Sequence, residues 1–179
     1  MNLVAYRYHD SPIGPLLLAA SERGMRALYM REHRHVSETL DAGWRAAAES
    51  DGAAVAILER AGCQLDEYFG GSRTAFDLPL DIEGSAFQRS VWQGLCAIPF
   101  GQTISYGELA RRIGNARAVR AVGLANGRNP VSIVVPCHRV IGADGSMTGY
   151  GGGIERKVFL LALEAKSGAV ARPGQLALV

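Results

Sequence analysis

From Ile133 to Val140 the chain reads Ile133-Val134-Val135-Pro136-Cys137-His138-Arg139-Val140, and no other stretch leaves so few options open. Ile133, Val134, Val135 and Val140 are β-branched and suit a pleated, half-buried setting, so a buried strand is expected through Val135. Pro136 has no N–H to give to a ladder and must end it. The trio Cys137, His138 and Arg139 then falls at a strand end beside a rigid turn, where a packed scaffold can hold side chains at a pocket mouth. The thiolate is the nucleophilic form of cysteine, and a neighbouring base or cation favours it. Cys137 is therefore the candidate nucleophile, although a lone cysteine serves equally well as a core residue. Neighbours along an extended chain point to opposite faces, so His138 reaches Cys137 only if the backbone turns or a water bridges the two.

A chain of 179 residues, 48% apolar, can bury a real core as one domain or two small ones closely packed. Its formal net charge of +2 is too small to argue for nucleic acid by itself. Cys63, Cys96 and Cys137 lack metal-type spacing, and an odd count fits a reducing compartment better than a disulfide framework. The first residues carry no basic-then-apolar leader, and no apolar run approaches membrane length. A cytoplasmic protein without a membrane partner is expected.

Leu3 to Tyr8, Leu16 to Ala20 and Met25 to Met30 read as three strands of an antiparallel meander, joined by Asp10-Ser11-Pro12-Ile13-Gly14-Pro15 and Ser21-Glu22-Arg23-Gly24. Arg31 to Gly52 is polar and alanine-rich; its His33 and His35 have no nearby cysteine to complete a zinc site and read as a solvated face. Ala54, Ile57, Leu58, Ala61, Leu65 and Tyr68 recur at helical spacing up to Gly70-Gly71, with Cys63 as a structural residue. Phe76, Leu78 and Leu80 alternate with polar residues, as in a short edge strand holding Pro79. The character changes near Ile82 to Gly84, which divides the chain into residues 1–83 and 84–179.

Ser85 with Gln88 forms a capping-box pattern and opens a helix burying Phe87, Val91, Leu95 and Ile98, with Cys96 expected to pack in the core. Ser105 with Glu108 repeats the pattern before a short helix, and a further helix is expected from Ala116 to Asn126. Both a helix-turn-helix and an ordinary αα-hairpin fit this pair. The second helix is poor in groups that read base edges: Ala118, Val119, Ala121, Val122, Gly123 and Ala125, with Arg117, Arg120 and Arg128 as its cations. It could hold phosphates but scarcely specify a sequence, which argues against a transcription factor. Thr148-Gly149-Tyr150-Gly151-Gly152-Gly153 is either a plain loop or one whose backbone approaches a ligand. The last helix, from Ile154, is expected to bury Val158, Leu161 and Ala165, with Glu164 in or beside that stripe and His138 as its partner. The tail from Ser167 reads as frayed.

Pro136-Cys137-His138-Arg139-Val140 does not stand alone. Phe87-Gln88 with Val91-Trp92, Ser105-Tyr106-Gly107-Glu108, Arg120-Ala121-Val122-Gly123, Asn129-Pro130, Gly149-Tyr150 and Arg156-Lys157 before Glu164 accompany it in order. The set resembles the O6-alkylguanine-DNA alkyltransferases, which repair alkylated DNA by direct reversal. The resemblance covers roughly Phe87 to Glu164 and is weaker in the meander and the Asp10 to Gly14 turn. It implies an α/β protein: an N-terminal, ribonuclease H-like antiparallel meander with a helix, then a mostly helical domain with a winged-helix-like helix-turn-helix.

The resemblance also implies roles. Cys137 would accept the alkyl group irreversibly, His138 would act as its base through a water, and Glu164 would polarise His138. Asn129 would organise the turn beside the cysteine, and Tyr106 would promote nucleotide flipping and protonate the leaving base. Arg120 would enter the base stack, with Ala121, Gly123 and Arg128 also facing DNA; Val140, Tyr150 and Gly151 would line the alkylguanine pocket. The partner would be double-stranded DNA carrying O6-alkylguanine, and O4-alkylthymine as well, bound by a monomer or by several molecules along the duplex. No cofactor is implied. Some relatives hold zinc in the N-terminal domain, but this chain has no cysteine before Cys63, so no metal is expected. Gly151-Gly152-Gly153 hints at tolerance of bulkier adducts, and Cys137 argues against the non-enzymatic relatives that carry tryptophan there. Two rivals remain: a lesion sensor without chemistry, and a thiol hydrolase built on Cys137, His138 and Glu164.

Overall fold

The computed structural model describes residues 4–30, 43–50 and 52–168. The meander forms as expected, with β1 at Val4–His9, β2 at Leu16–Ser21 and β3 at Gly24–Met30, each antiparallel to the next. A short strand the sequence reading missed, β4 at Trp44–Ala46, joins the other edge parallel to β1 and gives the order β3-β2-β1-β4. Three residues in an alanine-rich segment carry too little periodicity to announce a strand. Leu3, His33 and His35 lie outside the described residues, as does the tail from residue 169.

Every residue of β2 is buried, a central strand paired on both sides. One face packs on α1, Ala53–Phe69, through Leu58, Ala61 and Leu65; the other gathers Val4, Ala19, Ala27 and Tyr29 beneath Tyr6 and Trp44. A bulge leaves Arg26 without a partner in the pairing of β3 with β2, which turns Met25 to the same face as Leu28 and Met30. The freed Arg26 guanidinium reaches Asp81 (3.3 Å) and Glu83 (2.8 Å). The expected edge strand at Phe76 to Leu80 reduces to a single bridge, Met25 to Leu80, because Pro79 offers only its carbonyl. Cys63 is exposed on α1 rather than packed.

The second half is helical, as the mixed α/β class requires. Helix α2, Ala86–Cys96, starts in the full capping box of Ser85 and Gln88 and buries Val91, Trp92 and Leu95. β5 (Ile104–Ser105) pairs in parallel with β6 (Val140–Ile141), and α3 (Tyr106–Arg112) follows directly from β5. Only half of the second capping box forms. Ser105 accepts from the Glu108 N–H, but the Glu108 carboxylate turns to Arg111 and Arg112. Helix α4 is Val119–Gly127, starting later than expected because Asn115 to Ala118 closes a turn first.

Ile133 to Val135 is no strand: Val131 pairs with Leu28 in one bridge, and the chain then doubles back. The Val134 N–H donates to the Ser132 carbonyl (2.9 Å) around Ile133 at φ 72°, and the Cys137 N–H donates to the Val135 carbonyl (2.8 Å) around Pro136 at φ −82°, ψ 63°. These are consecutive three-residue γ-turns, the second suited to the fixed φ of proline. In α5, Ile154–Gly168, the buried stripe is Lys157, Leu160 and Glu164, one position away from the expected Val158, Leu161 and Ala165. Val158 and Ala165 are exposed and Leu161 is half-buried.

Candidate functional site

The sheet edge holds the reactive segment. The Leu28 N–H donates to the Pro130 carbonyl (2.9 Å) and the Ser132 N–H to the Leu28 carbonyl (3.1 Å). Asn129 completes the clamp, its Nδ2 donating to the Val135 carbonyl (2.7 Å) and its Oδ1 accepting from the Val131 N–H (3.0 Å). Cys137, His138 and Arg139 then form one 3₁₀ turn, all three buried, with Cys137 only 4% exposed. That turn supplies the change of direction that an extended chain lacks.

Glu164 organises the interior. Its Oε1 accepts from Tyr68 Oη (2.8 Å), His138 Nε2 (2.7 Å) and Arg139 Nη2 (3.0 Å); its Oε2 accepts from Arg139 Nε (2.9 Å) and the Gly101 N–H (3.0 Å). Burial works against this charge, yet the bonds from His138 and Arg139 hold the carboxyl at about 2. An ionised carboxylate only accepts, so His138 carries its proton on Nε2 and leaves Nδ1 as a free base. Nδ1 is buried without a protein partner. Burial also holds the imidazole below its ordinary value, so it rests neutral.

Burial raises the Cys137 thiol, while Asn129, the Lys157 charge and Ser132 pull the other way. Lys157 is fully buried, and burial brings its amine down to about 8. Its Nζ donates to the carbonyls of Val140 (2.6 Å) and Thr148 (2.8 Å). Tyr106 Oη also donates to Thr148 (3.0 Å). Burial first, and the Cys137 charge second, raise the Tyr106 pKa, so the phenol keeps its proton for donation. Val140 and Tyr150 are buried and Gly151 is half-buried beside them.

Gly149 has φ 74°, and a Cβ there would lie 2.6 Å from Tyr106 Oη. Gly149→Ala is expected to push Tyr106 aside; on the role that the resemblance implies for Tyr106, alkyl transfer then slows by about tenfold or more, with the thermal midpoint moved by only about a few degrees. Single-turnover kinetics and a melting curve read both; an unchanged rate would remove Tyr106 from the mechanism.

The structure thus brings Cys137, His138, Glu164, Asn129, Val140 and Tyr150 into one buried neighbourhood, with half-buried Tyr106 at its edge. It keeps Arg120 and Ala121, exposed on α4, and Arg128, exposed at its C-cap, apart from it, while a Cβ added at half-buried Gly123 would meet the Tyr106 ring at 3.9 Å. Leu124, 68% exposed, lies one turn after Arg120 on α4, and Arg128 caps the helix four positions further on. The sequence reading gave no role to Tyr68, Arg139 or Lys157. The available signal was a carboxylate in an apolar stripe, which requires buried cations and donors, and a lysine seven positions earlier on the same stripe.

Cys96 is exposed, contrary to the core packing expected, and lines an apolar groove of about 310 Å³ with Leu80, Ile82, Trp92 and Val135. Among the described residues no cluster of three metal-ligating side chains occurs, and no helix is long and apolar enough to cross a membrane.

A family model for the ribonuclease-like domain of 6-O-methylguanine DNA methyltransferase matches residues 4–82, and one for its DNA binding domain matches residues 86–166. A methylated-DNA–protein-cysteine methyltransferase of Mycolicibacterium paratuberculosis is 51% identical, covering 92% of this chain and 94% of its own. One from Methanosarcina acetivorans is 47% identical over 89% and 97%. Among solved structures, Mycobacterium tuberculosis OGT in complex with DNA superposes with a TM-score of 0.81 at 50% identity, covering 91% of this chain and 94% of that one. With both halves matched and relatives near half identity, the chain belongs to the 6-O-methylguanine DNA methyltransferase family.

Proposed function

We propose that this protein repairs DNA by moving the alkyl group of O6-alkylguanine, and of O4-alkylthymine, onto Cys137 and keeping it there. The observation that carries the reading is the buried Glu164–His138 pair next to Cys137 on the 3₁₀ turn, which leaves His138 Nδ1 as an unpaired base on a neutral ring. The thiol proton passes to that nitrogen through a bridging water. The sulfur attacks the alkyl carbon; the S–C bond forms as the C–O6 bond breaks, and the electron pair leaves with the guanine. Tyr106 protonates the leaving base, and the thiol proton replaces it, so the alkyl group ends on sulfur and a proton on guanine. A thioether carries no good leaving group for water to displace, so each molecule acts once.

The thiol is too deep to reach a stacked base, so the nucleotide must leave the duplex, at a cost of a few kcal/mol. Helix α4 suits the minor groove: Ala121 and Gly123 permit close approach, Arg120 fills the gap, and Arg128 holds phosphate. Val140, Tyr150 and Gly151 receive the extruded base. Residues 1–83 form a unit that braces this site, and residues 84–179 bind DNA and carry the acceptor; the two family matches meeting between 82 and 86 support that division. The protein acts as a monomer, alone or side by side with others along DNA. Unpaired Cys63 and Cys96 fit the reducing cytoplasm.

After mixing with a duplex bearing one O6-methylguanine, the intact protein mass is expected to rise by one methyl group that maps to Cys137. Cys137→Ser is expected to gain nothing. Tight binding with unchanged mass would make the protein a lesion sensor, and repeated turnover of a small ester without DNA would make it a hydrolase.

A further inference from the structure

One hydroxyl beside the thiol has no place in that mechanism. Ser132 is buried, and its Oγ makes no hydrogen bond of ordinary geometry; the Tyr150 hydroxyl, also buried, makes none either. Buried polar groups left unpaired are uncommon in native proteins, and each calls for a reason. The backbone that sets Ser132 there is itself unusual. The Ser132 N–H is tied to Leu28, its carbonyl closes the turn onto Val134, and the next residue, Ile133, is the only described non-glycine residue with positive φ. A β-branched side chain rarely takes that conformation, and such outliers gather at functional sites.

The Ser132 hydroxyl faces two groups. It lies close enough to Cys137 and to Tyr150 to favour the charged form of each. A neutral thiol is a weak acceptor, so Ser132 gains little from it at rest. A thiolate is a strong one, and a hydrogen bond to an ionised acceptor is about twice as strong as a neutral one. Tyr150, whose burial makes it hold its proton, can donate to Ser132 Oγ while Ser132 donates to sulfur. Both hydroxyls would then be satisfied only once charge develops on Cys137, the condition for lowering a barrier rather than tightening a resting complex.

We propose that Ser132 is a further catalytic residue, donating a hydrogen bond to the Cys137 sulfur as the thiolate forms, with the Tyr150 hydroxyl relayed behind it. The proposal rests on Cys137 being the reactive thiol, as read above. The other groups facing that sulfur are Lys157 on α5, Tyr106 on α3, Tyr150 itself and the uncharged Asn129; His138 follows Cys137 on the 3₁₀ turn, with Glu164 bonded to its ring.

Two readouts separate this proposal from the repair reading. The first is the pH profile of Cys137 methylation by methyl iodide without DNA, read by peptide mass at Cys137 in a Cys63→Ser, Cys96→Ser background that leaves it the one thiol. The second is the single-turnover rate on the O6-methylguanine duplex. Ser132→Ala is expected to move the midpoint of the profile up by about one pH unit and to slow methyl transfer about tenfold. Ser132→Thr, which keeps the hydroxyl, is expected to restore most of both, and Tyr150→Phe to move the midpoint the same way by less. An unmoved midpoint in folded Ser132→Ala overturns the proposal; if that variant does not fold, an unmoved midpoint in Tyr150→Phe does so. A moved midpoint in a protein that takes no methyl from DNA would uphold Ser132 and refute the repair reading.

Discussion

Glu164→Ala is expected to destabilise the fold by about 3–5 kcal/mol, because it leaves the Arg139 guanidinium buried without its counter-ion. Arg139 would keep only the Ile98 carbonyl (2.7 Å) and the face of Phe100, 5.6 Å from the ring centroid. Tyr68 and the Gly101 N–H would lose acceptors at the same time. The variant would also free the His138 tautomer, so surviving folded protein should transfer alkyl groups far more slowly. Urea titration at neutral pH measures the first effect, and a loss below about 1 kcal/mol would mean that Glu164 is not the hub of this interior.

The pH dependence follows the same charges. Glu164 titrates at about 2 in the fold against 4.5 in the free chain, so its contribution is complete above 4.5 and drains away as pH falls toward 2. His138 is held below 6.5, so the unfolded chain takes up its proton first, and stability declines as pH falls below 6.5. Both slopes point the same way, toward acid lability. Glu164→Gln should flatten the lower part of the curve, between about pH 5 and 2.

Arg120→Ala is expected to slow repair of duplex O6-methylguanine by about thirtyfold or more while slowing repair of the same lesion in a single strand much less. Extruding a nucleotide from a duplex costs a few kcal/mol, and a side chain that fills the gap offsets part of it. In a single strand there is little to offset. Arg120 is exposed at the start of α4, where removing its side chain strips no buried contact, so stability should hardly change. Single-turnover rates on matched duplex and single-stranded oligonucleotides give the ratio. An equal loss on both would reduce Arg120 to a phosphate contact.

Several features of this molecule were open to reading because their causes lie within a few residues. The capping box of Ser85 and Gln88 spans one helical turn, α1 repeats its apolar face every turn, and the meander strands are apolar runs bounded by marked turns. The motif around Cys137, with its flanks, carried the family. The pairing of His138 with Glu164 was legible too, since a carboxylate in an apolar stripe has to be answered. Ser105 with Glu108 shows the limit of local rules: the same pattern that closed at Ser85 stayed half open, because Arg111 and Arg112 compete for the carboxylate.

What the sequence alone determined, then, was the meander, most of the helices and the family, together with a list of candidate residues. Only the tertiary structure decided how the reactive segment is bent and which charges are sealed inside. Ile133 to Val135 has every local reason to be a strand, yet bonds from Leu28, about a hundred positions earlier, and the Asn129 clamp bend it into two γ-turns. Lys157 and Glu164 displace apolar neighbours from the buried face of α5 because their partners, from Tyr68 to Thr148, arrive from distant elements. Burying a charge is unfavourable until its partners are assembled, so no window of neighbouring residues can encode it.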